Sequence, residues 1–173
     1  MGTIFLAGIY GVGKSTLADK LSMLTNVPNY SAGDLISAKN GEQYGANKVV
    51  TDKGKNQDCL AESVTDLLKL NQRIILAGHF CIVNSQNQVD VLPEDVYPKL
   101  DIEKIILLQA APETISSHLS GRDGKLYSLD LLKALSAAEY QAAEKTALKL
   151  SCPLVVHKME YTDADATYLL SII

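Results

Sequence analysis

The run Gly8-Ile9-Tyr10-Gly11-Val12-Gly13-Lys14-Ser15-Thr16 fits GxxxxGK[ST] at every fixed position. Its chemistry follows from its residue types. Glycines let the backbone curl, so that successive N–H groups point at one anion. A helix starting near Lys14 adds the positive end of its dipole. Lys14 can reach β- and γ-phosphates, and Ser15 can hold Mg²⁺. Gly8, Gly11, Val12, Gly13, Lys14, Ser15 and Thr16 are therefore the candidate phosphate-binding residues. Tyr10 holds a free position of the motif, where it either touches a ligand or forms a solvent-facing tip. A second candidate, His79, closes the apolar run RIILAG. That is where ligands bind in open parallel sheets, and a histidine there can orient a hydroxyl or take its proton. Phe80 beside it either stacks on a base or fills the core. His118 and His157 show no partner pattern and read as structural.

These residues need elements to carry them. Thr3 to Ala7 reads as a buried strand, and Leu17, Leu21 and Leu24 as a helix stripe. Pro28 to Ser31 suits a short second strand. Leu60, Val64, Leu67 and Leu68 mark the next helix, which Asn56-Gln57-Asp58 opens, and Arg73 to Ala77 the next strand. The segment from Phe80 to Leu92 alternates about the polar residues Asn84 to Asn87, as a hairpin does. Pro93 starts a short helix, and Ile102 to Leu108 is another strand. Pro112 opens a helix ending near Gly121. Leu131, Leu135, Ala138 and Ala142 form a long amphipathic helix. A strand at Leu154 to Val156 and a helix at Asp163 to Leu170 close the chain. Strand and helix alternate throughout, which predicts a parallel sheet covered on both faces.

The chain has 173 residues, enough for one domain with a sizeable core. It is 47% hydrophobic and 21% charged, unlike a disordered chain. Its net charge of −4 argues against gripping nucleic-acid backbone as its main work. No apolar run approaches the ~18 residues of a membrane span, and the start does not read as a signal peptide. Cys59, Cys81 and Cys152 form neither a metal-type pair nor a disulfide framework, which suits neutral thiols and a cytoplasmic location. Arg73 and Arg122 are the only arginines. No DxxG occurs, and Asn87-Gln88-Val89-Asp90 is a poor guanine-reading loop, which argues against a GTPase. The chain is too short for a large motor ATPase.

After the first helix comes Tyr30-Ser31-Ala32-Gly33-Asp34-Leu35-Ile36-Ser37. Here the chain resembles the nucleoside monophosphate kinases, whose pattern is close to STGD[LM][LI]R. Gly78-His79-Phe80 through to Leu92-Pro93 is similar to a segment of the archaeal type of adenylate kinase. The resemblance implies an α/β, three-layer P-loop fold in a single domain over residues 1–173, with about five parallel strands and a short lid near residues 120–128. It implies ATP and Mg²⁺, with Asp34 on the metal's water shell or the acceptor side. The residue itself also suits a helix N-cap after Gly33. In such kinases the lid delivers arginines, which points to Arg122 between the possible hinges Gly121 and Gly124.

The same comparison exposes departures. The family's acceptor arginines fall on Ser37 and Cys81, and a metal-side aspartate falls on Ala77. Losing two charged hydrogen bonds of ~1.5–3 kcal/mol each lowers affinity for an acceptor phosphate by on the order of 10²–10⁴. Three explanations stay open. Lys39, Lys48, Lys53 and Lys55 supply the charge; the acceptor carries no phosphate; or ATP is bound without an acceptor. The expected activity is Mg²⁺-dependent transfer of the ATP γ-phosphoryl group to a nucleotide-like or other small acceptor. Lys14, Arg122, Asp34 and His79 are the candidate catalytic residues, and Ser15 and Asp34 the metal-side ones. The rival readings are an ATP-gated regulator of a protein partner and a kinase of nucleosides or nucleic-acid ends.

Overall fold

The computed structural model describes residues 2–40, 53–124 and 127–173. The first strand, β1 (Gly2–Ala7), is buried at every position, because it lies mid-sheet with both faces covered. It pairs in parallel with β3 (Arg73–Gly78) on one side and β6 (Ile102–Gln109) on the other. The short β2 (Asn29–Ser31) flanks β3, and β7 (Leu154–Lys158) flanks β6. The sheet order is therefore β2-β3-β1-β6-β7, all parallel. Helices α1 (Lys14–Thr25), α2 (Ala32–Asn40), α3 (Lys53–Leu70), α4 (Pro112–Asp123), α5 (Leu129–Leu150) and α6 (Asp163–Leu170) connect or follow the strands. The expected hairpin is present, β4 (Cys81–Val83) against β5 (Val89–Val91), and a 3₁₀ helix follows at Glu94–Leu100. The three-layer α/β reading of the sequence holds.

Several details differ from the expectations. Leu24 is exposed, and α1 buries Leu17, Ala18 and Leu21 instead. On α5 the buried stripe is Leu132, Leu135, Glu139 and Ala143. It shares Leu135 with the expected stripe, otherwise lies one residue further along, and has a carboxylate at its centre. Helix α4 continues to Asp123, so Gly121 is helical; Gly124, at φ 66°, forms the left-handed cap. Asp34 is not an N-cap, because it lies inside the first turn of α2 and donates its backbone N–H to Ser31 Oγ at 3.4 Å. Phe80 fills the core, packed edge-on against Phe5 with ring centres 5.1 Å apart. Lys48 lies outside the described residues.

Strand β3 must end in glycine. A Cβ at Gly78 would stand 2.7 Å from Phe5 Cζ. Gly78→Ala is therefore expected to cost about 1–3 kcal/mol of stability, read by urea unfolding, as overpacked cores do.

The last helix is anchored by Asp165, which is 2% exposed. Its carboxylate accepts from the N–H of Glu160 (3.0 Å) and Thr162 (3.1 Å) and lies 2.7 Å from His157 Nε2. Burial alone would raise its pKa, but these partners hold it below the usual carboxylate value. A depressed pKa contributes stability above ~3.9 that is lost as the pH falls through the folded value. Asp165→Asn should cost roughly 0.5–2 kcal/mol near neutral pH. Its deficit in denaturant titrations should shrink below about pH 4.

Candidate functional site

All strands of the sheet run the same way, so their carboxyl ends share one edge of the molecule. A cavity of about 910 Å³ opens there. The loop from β1 to α1 lines it with Gly11, Gly13, Lys14, Ser15 and Thr16. Gly11 and Gly13 both have left-handed backbones, at φ 76° and 99°. A Cβ on Gly11 would also lie 2.8 Å from Leu119 Cγ. Gly13 starts α1 with no side-chain cap, and no acidic residue lies in the first turn. The N–H groups of Lys14, Ser15 and Thr16 precede the first helical hydrogen bond, Leu17 N–H to Gly13 O at 3.1 Å. This end of the helix suits an anion.

Lys14 is 9% exposed, and its Nζ donates to the carbonyls of Gly8 (2.6 Å) and Ile9 (3.0 Å). Nδ1 of His79 lies 2.8 Å from the same Gly8 carbonyl and 3.4 Å from Lys14 Nζ. A carbonyl only accepts, so Nδ1 carries the proton in that bond, and Nε2 of the neutral ring is the acceptor nitrogen. Tyr10 packs on this imidazole with ring centres 4.5 Å apart. It is thus no solvent-facing tip, and burial pushes its phenol up to about 12.

The structure brings Lys14, Ser15, Thr16, Asp34, His79 and Arg122 onto the wall of the one cavity. It does not bring Gly8 and Val12 there. Val12 is fully buried, and the N–H of Gly8 is taken by Glu139 Oε1 at 3.1 Å. Arg122 sits exposed on the last turn of α4. Lys39, a candidate for charge on the acceptor side, is paired with Glu62 at 2.6 Å. Cys81, where the resemblance places an arginine, is buried, and its thiol is pushed up to about 12, first by burial and then by Glu139.

Four residues around the loop lay outside the candidate set: His118, Met159, Tyr161 and Glu139. His118 lines the cavity, and its Nδ1 lies 3.0 Å from Gly11 O. Its ring meets Tyr161 edge-on at 4.8 Å. Tyr161 and Met159, on the loop after β7, each come within 3.5 Å of where a Cβ on Gly13 would be. The fourth is Glu139. Its Oε1 accepts from Gly8 and Phe80 N–H, and its Oε2 from Phe80 (3.0 Å) and Cys81 (2.7 Å) N–H. Burial raises its pKa; the Phe80 N–H, the Lys14 charge and the remaining N–H groups oppose that rise. The signal was a lone carboxylate on an apolar stripe.

A glycine-rich loop at the switch point of a five-stranded parallel sheet, with Lys14 opening the helix that follows, is that of a P-loop domain with the nucleotide-kinase fold. Residues 7–135 match the family described as AAA domain, and the chain belongs to that family. It is 28% identical over 150 residues to an adenylate kinase of Pseudothermotoga lettingae, a match covering 73% of this chain. The chain spans 63% of that relative's length. In structure it is similar to the shikimate kinase of Aquifex aeolicus, with TM-score 0.62, 18% identity and coverage of 98% and 94% of the two chains. The Acinetobacter baumannii shikimate kinase bound to shikimate gives TM-score 0.62 at 15% identity, covering 99% and 92%. A gluconokinase of Sinorhizobium meliloti gives 0.53 at 10%, covering 98% and 90%. At these identities the solved structures establish the fold alone. Among the described residues no helix is long and apolar enough to cross a membrane.

Glu139→Gln puts an amide N–H₂ where N–H groups need an acceptor. It should cost about 1–3 kcal/mol in urea unfolding, and Glu139→Ala more, because the buried donors then lose every partner.

Proposed function

We propose that this protein is a Mg²⁺-dependent phosphotransferase that moves the γ-phosphoryl group of ATP to a small-molecule hydroxyl. One observation carries the reading. A single cavity is lined by the glycine loop with Lys14, by His79 beside it and by Asp34. Donor and acceptor can therefore meet in one chamber.

The triphosphate lies on the N–H groups of Gly11, Gly13, Ser15 and Thr16. Lys14 Nζ exchanges its loop carbonyls for phosphate oxygens. The nucleotide base extends toward His118, Met159 and Tyr161. Ser15 Oγ and Asp34 are the groups that would hold Mg²⁺. Ser15 stands exposed on the cavity wall, and the described residues contain no cluster of three or more His, Cys, Asp or Glu suited to a metal. The ion would thus lean mainly on the phosphates, whose charge it neutralises when bound. His79 Nε2 accepts the proton of the acceptor hydroxyl, with the ring held by Gly8 O and Tyr10. Arg122 approaches the transferring group from the lid side. Catalysis comes mostly from positioning and charge neutralisation. The cytoplasm, where ATP is abundant, is the proposed location.

The test is transfer of labelled γ-phosphate to a panel of small alcohols, with variants. Lys14→Ala should lower kcat/KM by about 10²–10³, as loss of a charge-stabilising donor does. His79→Gln should lower kcat by ~10²–10⁴ with ATP affinity little changed, as loss of a general base does. Wild-type protein that binds ATP but labels no acceptor would instead favour a nucleotide-gated regulator of a partner protein.

A further inference from the structure

The sheet order divides the cavity. Loops after β6 and β7, with α4 and α6, wall the side of Arg122, His118 and Tyr161. The other side, built on β2 and β3, is closed by α2, the start of α3, the hairpin and the 3₁₀ helix. On the reading above, this second side holds the acceptor.

Its chemistry is lopsided. The wall carries apolar side chains at Ile36, Leu60, Ile82 and Val96. Its one charged side chain among the described residues is the carboxylate of Asp34. The cavity's cations, Lys14, Lys20 and Arg122, all stand elsewhere. Lys14 belongs to the loop, Lys20 pairs with Asp163 on α6, and Arg122 ends α4. The other arginine, Arg73, begins β3 at the opposite edge of the sheet, 2.5 Å from Glu103. No arginine remains to serve the acceptor. Among the described residues, this wall offers an acceptor phosphate or carboxylate a carboxylate and no cation, and anions in such sites are held by bidentate arginine.

A second observation concerns what the wall seeks. Gln57, in the first turns of α3, lines the cavity. Its Oε1 is shielded from solvent and has no hydrogen-bond partner among the described residues. A buried acceptor without a donor is a cost that a ligand N–H or O–H relieves.

We infer that the acceptor is a neutral nucleoside, a hydroxyl-bearing molecule with a flat apolar body and N–H donors. This rests on the phosphotransferase reading. The apolar body fills the wall of Ile36, Leu60, Ile82 and Val96, and a base N–H donates to Gln57 Oε1. The nucleoside hydroxyl points to His79 and the loop. Its oxygen forms a bond to the γ-phosphorus as the bond from that phosphorus to the bridging oxygen breaks. ADP leaves with that oxygen, and the hydroxyl proton passes to His79 Nε2 and on to solvent. The product is a nucleoside monophosphate.

The experiment pairs calorimetric binding with labelled-phosphate transfer, using the full chain, MgATP, nucleosides, their monophosphates, neutral sugars and a carboxylated alcohol. Nucleosides are expected to exceed their monophosphates and the acid by at least tenfold in kcat/KM. Gln57→Leu should raise the nucleoside KM by tenfold or more with kcat within threefold. Gln57→Glu, which keeps an oxygen acceptor, should restore most of that KM. Thermal melts check that both variants fold. Preference for a monophosphate, the acid or a sugar overturns the inference and leaves the kinase reading standing. Nucleosides that neither bind nor accept phosphate overturn it too, as does a Gln57→Leu variant with unchanged KM. Turnover unchanged in Lys14→Ala sinks the kinase reading itself.

Discussion

Glu139 joins three backbone N–H groups at the ends of strands. Gly8 follows β1, Phe80 lies between β3 and β4, and Cys81 is the first residue of β4. A buried N–H without an acceptor costs about 1–3 kcal/mol. The two oxygens of one carboxylate meet all three at 2.7–3.1 Å. The helix α5 thereby fixes the mouth of the phosphate loop to the end of β3, across sequence separations of 131, 59 and 58 residues. That clamp also sets His79 beside Gly8, because His79 immediately precedes Phe80. The carboxylate is buried near Lys14, whose charge partly offsets the desolvation it suffers. Removing the charge of either residue leaves the other less well compensated.

From this clamp the two halves of the site diverge. The Gly8 carbonyl is shared by Lys14 and His79, so both candidate site residues hang from one backbone atom. On one flank, α4 and the loop after β7 bring His118 and Tyr161 around the loop glycines. On the other, α2 and α3 bring Asp34 and Gln57. The central strand β1 separates the flanks and is itself wholly buried. Substitutions on one flank can therefore change what binds there without moving the loop.

The sequence exposed whatever is local and missed whatever depends on long-range packing. The glycine pattern, Lys14 and Ser15 are contiguous, and their geometry follows from a strand, a turn and a helix. His79 was legible because a strand end is legible. The hairpin at Cys81–Val91 was legible from alternation around a polar centre. Glu139 was not, because a charged residue on a helix is ordinarily solvated, and only the fold reveals the N–H groups awaiting it. The expected stripe of α5 and the buried one share Leu135 and otherwise differ by one residue. Asp34 suited a cap as well as a ligand-side role; the helix starts earlier, at Ala32, and Ser31 Oγ accepts the Asp34 N–H. Met159 and Tyr161 lie far from the loop in sequence, and only the order of β6 and β7 brings them to Gly13.

Family membership constrains the acceptor less than it constrains the fold. The fold is shared by kinases as different as a shikimate kinase and a gluconokinase. What distinguishes one such cavity from another is the charge that α2, α3 and the hairpin present. An anionic group on an acceptor must exchange its water for fixed cations, or desolvation opposes binding. In this chain Cys81, where the resemblance puts an arginine, lies in the core with its N–H on Glu139. An arginine there would have to bury its guanidinium beside the clamp or break it. The missing cation and the buried carboxylate are thus parts of one arrangement. The hairpin gives Glu139 the N–H of Cys81 and presents Ile82, not a charged side chain, to the cavity.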